Sequence, residues 1–236
     1  MSLFSRRKKN APDSDVETTT DATELADDTG AAEPAGTGPW DVSDVPVLGP
    51  RIDLGALRVP ARSGMQLRME VEKNTKQVVA ASLSAGGSAL QLQAFAAPRT
   101  AGLWDELRPE IAASVTAQGG TADEVEGPFG PELLSRLPVR TPEGRSGHRA
   151  ARFVGVDGPR WFLRGVFTGK AAIDPDAAAE LEEIFAGVVV VRGTEARAPR
   201  DVLSLEVPGT AGASAEADDD ETPDPTKRGP EMTETR

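Results

Sequence analysis

Arginines recur at positions 152, 160 and 164 of RFVGVDGPRWFLRG (152–165), interleaved with Phe153, Trp161, Phe162 and Leu163. Guanidinium groups held on one surface grip carboxylates or phosphates through paired N–H donors, so the first question is whether this stretch brings them together. A hairpin that turns over a three-residue loop at 156–158, with Gly158 in the left-handed region, aligns Phe153 with Trp161 and puts Leu163 on their face. Arg152, Arg160 and Arg164 then share the other face with Val154 and Phe162. A two-residue turn would instead carry Arg152 to the Trp161 face and bury its charge, so the three-residue loop is expected. Between 136 and 170 there are eight basic side chains against only Glu143 and Asp157. Like charges that meet across a sheet repel unless an anion lies between them. That anion is an internal carboxylate such as Glu70 or Glu72, the chain's own acidic tail, or an external nucleic acid or phosphate. Internal pairing is the simplest of the three.

Other reactive patterns are sparse. There is no cysteine and His148 is the only histidine, which excludes thiolate chemistry, disulfides and a multi-histidine metal site within one chain. His148 with Ser146 and Glu143 in TPEGRSGHRAAR lacks the spacing of a nucleophile elbow. Glu182 and Glu183 are helix neighbours that point apart, and Glu124 and Glu126 read as the solvated side of a strand. VDGPRWFLRG lacks the strand-to-helix glycine pattern of a dinucleotide site, and AGGSA at 85–89 reads as a hairpin turn. No catalytic set, cofactor site or metal site is expected.

The elements that position these residues lie in the middle of the chain. The formal charge of −12 is concentrated at the ends: residues 1–45 carry 4 basic and 10 acidic side chains and residues 211–236 carry 3 and 8, leaving the middle nearly neutral. Both ends are built from Ala, Asp, Glu, Thr, Gly and Pro without apolar periodicity. They are expected to be a disordered acidic N-terminal arm (1–45) with a basic start and a disordered acidic C-terminal tail (211–236), flanking one domain at 46–210. No apolar stretch follows Arg6, Arg7, Lys8 and Lys9 as in a secretion signal, and no window is long and apolar enough to span a bilayer, so a cytoplasmic location is expected. The basic start beside Leu3 and Phe4 offers at most a weak contact with a membrane surface.

Within the middle, Trp40 is expected to anchor back onto the domain, and IDLGALRVP to form an edge strand ended by Pro60. MQLRMEVE (65–72) alternates Met65, Leu67, Met69 and Val71 against polar residues, and VVAASLSA and ALQLQAFAA add two strands to a meander. Leu103, Leu107, Ile111 and Val115 mark an amphipathic helix that Pro109 should kink or split. Short strand candidates at 123–126 and 132–139 are interrupted by Pro128, Pro131 and Pro138, so irregular edges are expected there. A second helix follows, capped by Asp174, with Pro175 at its first position, Leu181, Ile184 and Phe185 buried, and Gly187 at its end. VVVVRG (188–193) then reads as a strand buried on both faces, and RDVLSLEVP as an edge strand or an extended arm. The fold class is α+β, a mostly antiparallel sheet covered by about two helices.

Four stretches, DLGALRVP, GPFG (127–130), RFVGVDGPRWFLRG and VVVVRG, resemble the actinobacterial domain-of-unknown-function family numbered 3710 over roughly 48–208. The resemblance implies an actinobacterial cytoplasmic protein and brings no activity, cofactor or catalytic residue. The element order is also similar to a Mog1/PsbP-like sandwich, an analogy of fold alone. The function expected is a non-enzymatic protein-interaction module. The alternative is a nucleic-acid- or polyanion-associated protein using Arg152, Arg160 and Arg164, modulated by the acidic tails.

Overall fold

A computed structural model describes residues 37–99, 102–140 and 146–208. The arm before residue 37 and the tail expected at 211–236 lie outside the described residues. The elements in chain order are β1 (Trp40–Asp41), β2 (Arg51–Asp53), β3 (Leu57–Pro60), β4 (Gln66–Val71), β5 (Val78–Ala85), β6 (Ser88–Ala96), α1 (Leu103–Ala117), β7 (Thr121–Gly127), β8 (Gly130–Arg140), β9 (Ser146–Gly158), β10 (Trp161–Gly169), α2 (Pro175–Ala186) and β11 (Val189–Val190). Seven strands form an antiparallel sheet in the order β4-β5-β6-β10-β9-β8-β7, and four short ones form a second sheet, β1-β11-β3-β2. The class is α+β, dominated by sheet.

Strand alternation gives the large sheet two different faces. One carries Leu67, Leu83, Leu90, Leu92, Val154, Leu163 and Phe167 into a core shared with α2 (Leu181, Ile184, Phe185), with Leu57, Val59 and Val190 of the small sheet and with Val188 just before β11. The opposite face holds a second cluster in which Leu103 and Trp104 of α1 pack on Phe162, with Phe95 and Phe153 beside them. A single row across all seven strands reads Arg68, Ser82, Gln91, Val166, Phe153, Leu133, Glu124. It is polar at β4–β6 and apolar toward β9 and β8, where α1 lies.

The β9–β10 hairpin differs from the expected one. Its turn is the two residues Pro159–Arg160, with Arg160 at φ 64°, and the register pairs Gly158 with Trp161, Val156 with Leu163 and Arg152 with Phe167. Gly158 therefore supplies space rather than a left-handed turn: a Cβ there would lie 2.1 Å from the Trp161 indole. Proline fixes φ at the first turn position, and the left-handed Arg160 is held by its carbonyl, which accepts from the Ala97 N–H at 2.9 Å. Phe153 consequently pairs with Val166, on the face away from Trp161.

Other departures are local. IDLGALRVP forms two strands, β2 and β3, and β3 is internal between β11 and β2. A bulge between Glu70 and Val71 turns Val71 outward, away from the face that Met69 shares. The helix α1 continues through the exposed Pro109 as one element. The strand candidates at 123–126 and 132–139 fall within β7 and β8, which pair as a regular hairpin rather than as irregular edges. Pro131 precedes the β8–β9 pairing and Pro138 lies past the end of the β7–β8 pairing, so each falls where β8 has a partner on one side only. VVVVRG contributes only the two-residue β11, parallel to β1 and antiparallel to β3, with Val188, Val189 and Val190 all buried. RDVLSLEVP is an extended arm: β5 and β6 part beyond the Ala81–Leu92 pair, and Leu203 and Leu205 fill the opening, bonded to Ala94 and Val78.

Candidate functional site

The register divides the three arginines. Arg152 lies on the core face, where its guanidinium sits 4.5 Å from the Phe167 ring centroid and bonds Glu132 Oε2 at 2.9 Å and Glu182 Oε1 at 2.6 Å. Arg164 is on the opposite face, bonded to Gln93 Oε1 and lying over Phe95 at 5.4 Å. Burial holds its pKa below the ordinary arginine value. Arg160 is in the turn. The shared arginine face expected from the sequence is therefore replaced by three separate environments. Glu70 and Glu72 are not the internal partners either: Glu70 accepts from Gln91 and Glu72 from Thr75.

What the register builds instead is an acidic cleft. The β7–β8 hairpin supplies Glu126, Gly127, Glu132 and Leu134; β9 supplies Arg152; the 3-10 turn Lys170–Ala172 and the residues that follow it supply Ala172, Ile173 and Asp174; and α2 supplies Glu182 from its second half. The cleft has a volume of about 260 Å³. Glu132 is 1% exposed, and its Oε1 has no hydrogen-bond partner among the described residues. Its carboxyl lies over the backbone of Gly127, where a Cβ would come within 2.0 Å of Oε1. Burial pushes the Glu132 pKa up, Arg152 and the Phe129 N–H oppose that, and Glu182 adds to it. Asp174 caps α2 by accepting the Asp176 and Ala177 N–H groups. Four carboxylates thus line a cleft that contains one arginine, and Val125 and the exposed Ile173 give it apolar walls. Such a lining attracts a cationic donor with an apolar stem.

The sequence separates Glu182 from Glu183 correctly as neighbours with different directions: Glu182 meets Arg152, and Glu183 lies 3.7 Å from Arg62. Glu132 was readable only as one glutamate on a proline-broken strand. Its signal lies in the alternation of PELLSRL, where Leu133 and Ser135 are buried on one face and Glu132 is sealed on the other. His148 and Ser146 are exposed on β9 opposite Pro138 and Arg140, and Glu143 lies outside the described residues.

A second cluster, also unread in the sequence, gathers around the hairpin turn. The Arg160 carbonyl accepts from Arg192 Nε at 3.1 Å, and Arg192 Nη1 donates to the Glu195 carbonyl at 3.1 Å. Arg197 Nη2 bonds Glu195 Oε2 at 3.1 Å. Burial lowers the Arg192 pKa, the charges of Arg160 and Arg197 lower it further, and Glu195 opposes them.

No curated protein matches the chain. A family model described as "Protein of unknown function (DUF3710)" matches residues 38–214, from the start of β1 past the end of the C-terminal arm. The chain belongs to that family.

Proposed function

We propose that the domain is a protein-interaction module that takes a lysine or arginine side chain of its partner into the acidic cleft between the β7–β8 hairpin and α2. The observation that carries this reading is the buried Oε1 of Glu132, an acceptor in the lining of the cleft that has no hydrogen-bond partner among the described residues. Leaving such a group unmet costs about 1–3 kcal/mol, which an incoming ammonium or guanidinium recovers. The cleft's 260 Å³ lies below the range of about 300–1,000 Å³ typical of whole small-molecule sites, and suits one side chain. The polyanion alternative required Arg152, Arg160 and Arg164 to act together, and Arg152 and Arg164 are engaged inside the domain.

The test is an NMR titration of the full chain with N-acetyl-lysinamide, with N-acetyl-norleucinamide as the uncharged control. The reading expects millimolar binding with amide shifts at Gly127, Leu134 and Ala172, absent for norleucine and absent in Glu132→Gln. Equal shifts from both probes, or shifts that survive Glu132→Gln, would overturn it.

A further inference from the structure

The cluster Arg160–Arg192–Arg197 brings three guanidiniums together at one corner of the domain. Its neighbouring carboxylates among the described residues are Glu195, which is bonded to Arg197, Asp201, whose Oδ2 is held by the Ala198 N–H at 3.0 Å, and Glu72, which lines one groove with Arg197 and Asp201 and accepts from Thr75. Arg192 is only 9% exposed and spends two of its donors on backbone carbonyls, which fixes its guanidinium rather than discharging it. Arg160 is held in a left-handed turn, where a side chain costs about 1–2 kcal/mol. The fold therefore keeps three guanidiniums together in a rigid corner at the end of the β9–β10 hairpin.

We propose that the acidic run EADDDE (216–221) of the same chain docks on this corner. Charge complementarity is direct: five carboxylates in six residues meet Arg160 and Arg197, with the buried Arg192 behind them. The path of the chain also permits it. The Arg200 N–H bonds the Ala96 carbonyl, and the adjacent Ala97 N–H bonds the Arg160 carbonyl, so the C-terminal arm starts beside the corner. It then runs away to Glu206, which bonds Leu54. Eight residues from Arg200 to Pro208 span at most about 29 Å, whereas ten residues from Pro208 to Asp218 reach about 33 Å, enough to return. Tethering supplies a local concentration in the millimolar range. A free polyanion has no such advantage and meets a chain of net charge −12. The docked tail occupies a surface separate from the acidic cleft, so the two proposals stand or fall independently.

The chain has no cysteine, so Ser214→Cys places a single spin label just before the acidic run of the full-length protein. Paramagnetic broadening is expected at the amides of Arg160, Gly193 and Arg197. It should disappear when Asp218, Asp219 and Asp220 are changed to Asn and Glu221 to Gln, and weaken in Arg160→Gln and Arg197→Gln. Salt of about 0.5 M should weaken it too, because exposed charges are then screened over a few ångströms. A corner that shows no broadening, or broadening that survives neutralisation of the tail, would overturn the proposal. So would a short DNA duplex that shifts the Arg160 and Arg197 amides equally well with native and neutralised tails. The tail variants leave the folded residues untouched, so the test does not depend on Arg192 tolerating substitution.

Discussion

Replacing Glu132 by glutamine removes an ion pair of 2.9 Å, yet the fold is expected to be as stable as the native one at pH 7, or more so. The reason is the balance at the carboxyl. Burial raises its pKa above the ordinary 4.5 by more than Arg152 and the Phe129 N–H lower it. A carboxyl whose folded pKa lies above its unfolded one binds its proton more tightly in the fold. Stability therefore falls as pH rises from about 4.5 through the folded value, and the penalty is complete above that value. Each unit of elevation is worth about 1.4 kcal/mol. Glutamine keeps the shape and an acceptor for Arg152 without a charge to desolvate. Arg152 is not orphaned, because Glu182 lies 2.6 Å away and the Phe167 ring lies beneath it. The expected change at pH 7 is within about 1 kcal/mol, in the stabilising direction. Arg152→Met should instead cost about 3–5 kcal/mol, because it strips the counter-charge from two carboxylates at once. Urea denaturation of the full chains, followed by tryptophan fluorescence between pH 4 and 8, separates the cases. Native stability should decline above pH 4.5 relative to Glu132→Gln. A glutamine variant that loses more than about 2 kcal/mol at pH 7, or a native advantage that grows with pH, would refute the dominance of desolvation.

Two further substitutions probe how the α1 face is fixed. The Asp157 carboxylate accepts the N–H groups of Gly102, Leu103 and Trp104 at 3.1–3.3 Å, capping α1 from 53–55 residues away. Asp157→Ala should cost about 2 kcal/mol and accelerate amide hydrogen exchange in the first turns of α1 while the sheet core stays protected; unchanged exchange there would exclude the capping role. A Cβ on Gly155 would lie 2.4 Å from the Trp104 ring and 2.7 Å from Phe162. Gly155→Ala should lift α1 from β9, cost about 1–3 kcal/mol in denaturant titration and move the Trp104 emission to longer wavelength.

The parts of this fold that the sequence made legible are those whose cause is local. Asp174, Pro175, Leu181, Ile184 and Phe185 specify α2 by capping and spacing alone, and α2 forms as they require. The meander β4–β5–β6 follows from alternation and the Gly86-Gly87 turn, both of whose glycines take positive φ. What the sequence hid depends on partners distant along the chain. The Trp161 indole is held by Asp41, 120 residues away, and lies across Gly158, so a glycine that looked like turn chemistry is the floor under a ring. That displaced the turn to Pro159–Arg160 and moved Arg152 onto the core face. Avoiding a buried charge was sound as an estimate of cost, because an arginine alone on that face would be severely destabilising. The cost is met by Glu132 and Glu182, 20 and 30 residues away, whose presence no local pattern announces. Elsewhere alternation, capping and turn chemistry agree with one another, and departures from such agreement concentrate at functional or strained places. The acidic cleft is such a place: its buried glutamate and arginine contradict the apolar rule obeyed by their neighbours Leu133, Val154 and Phe167, and that contradiction is why it is the candidate site.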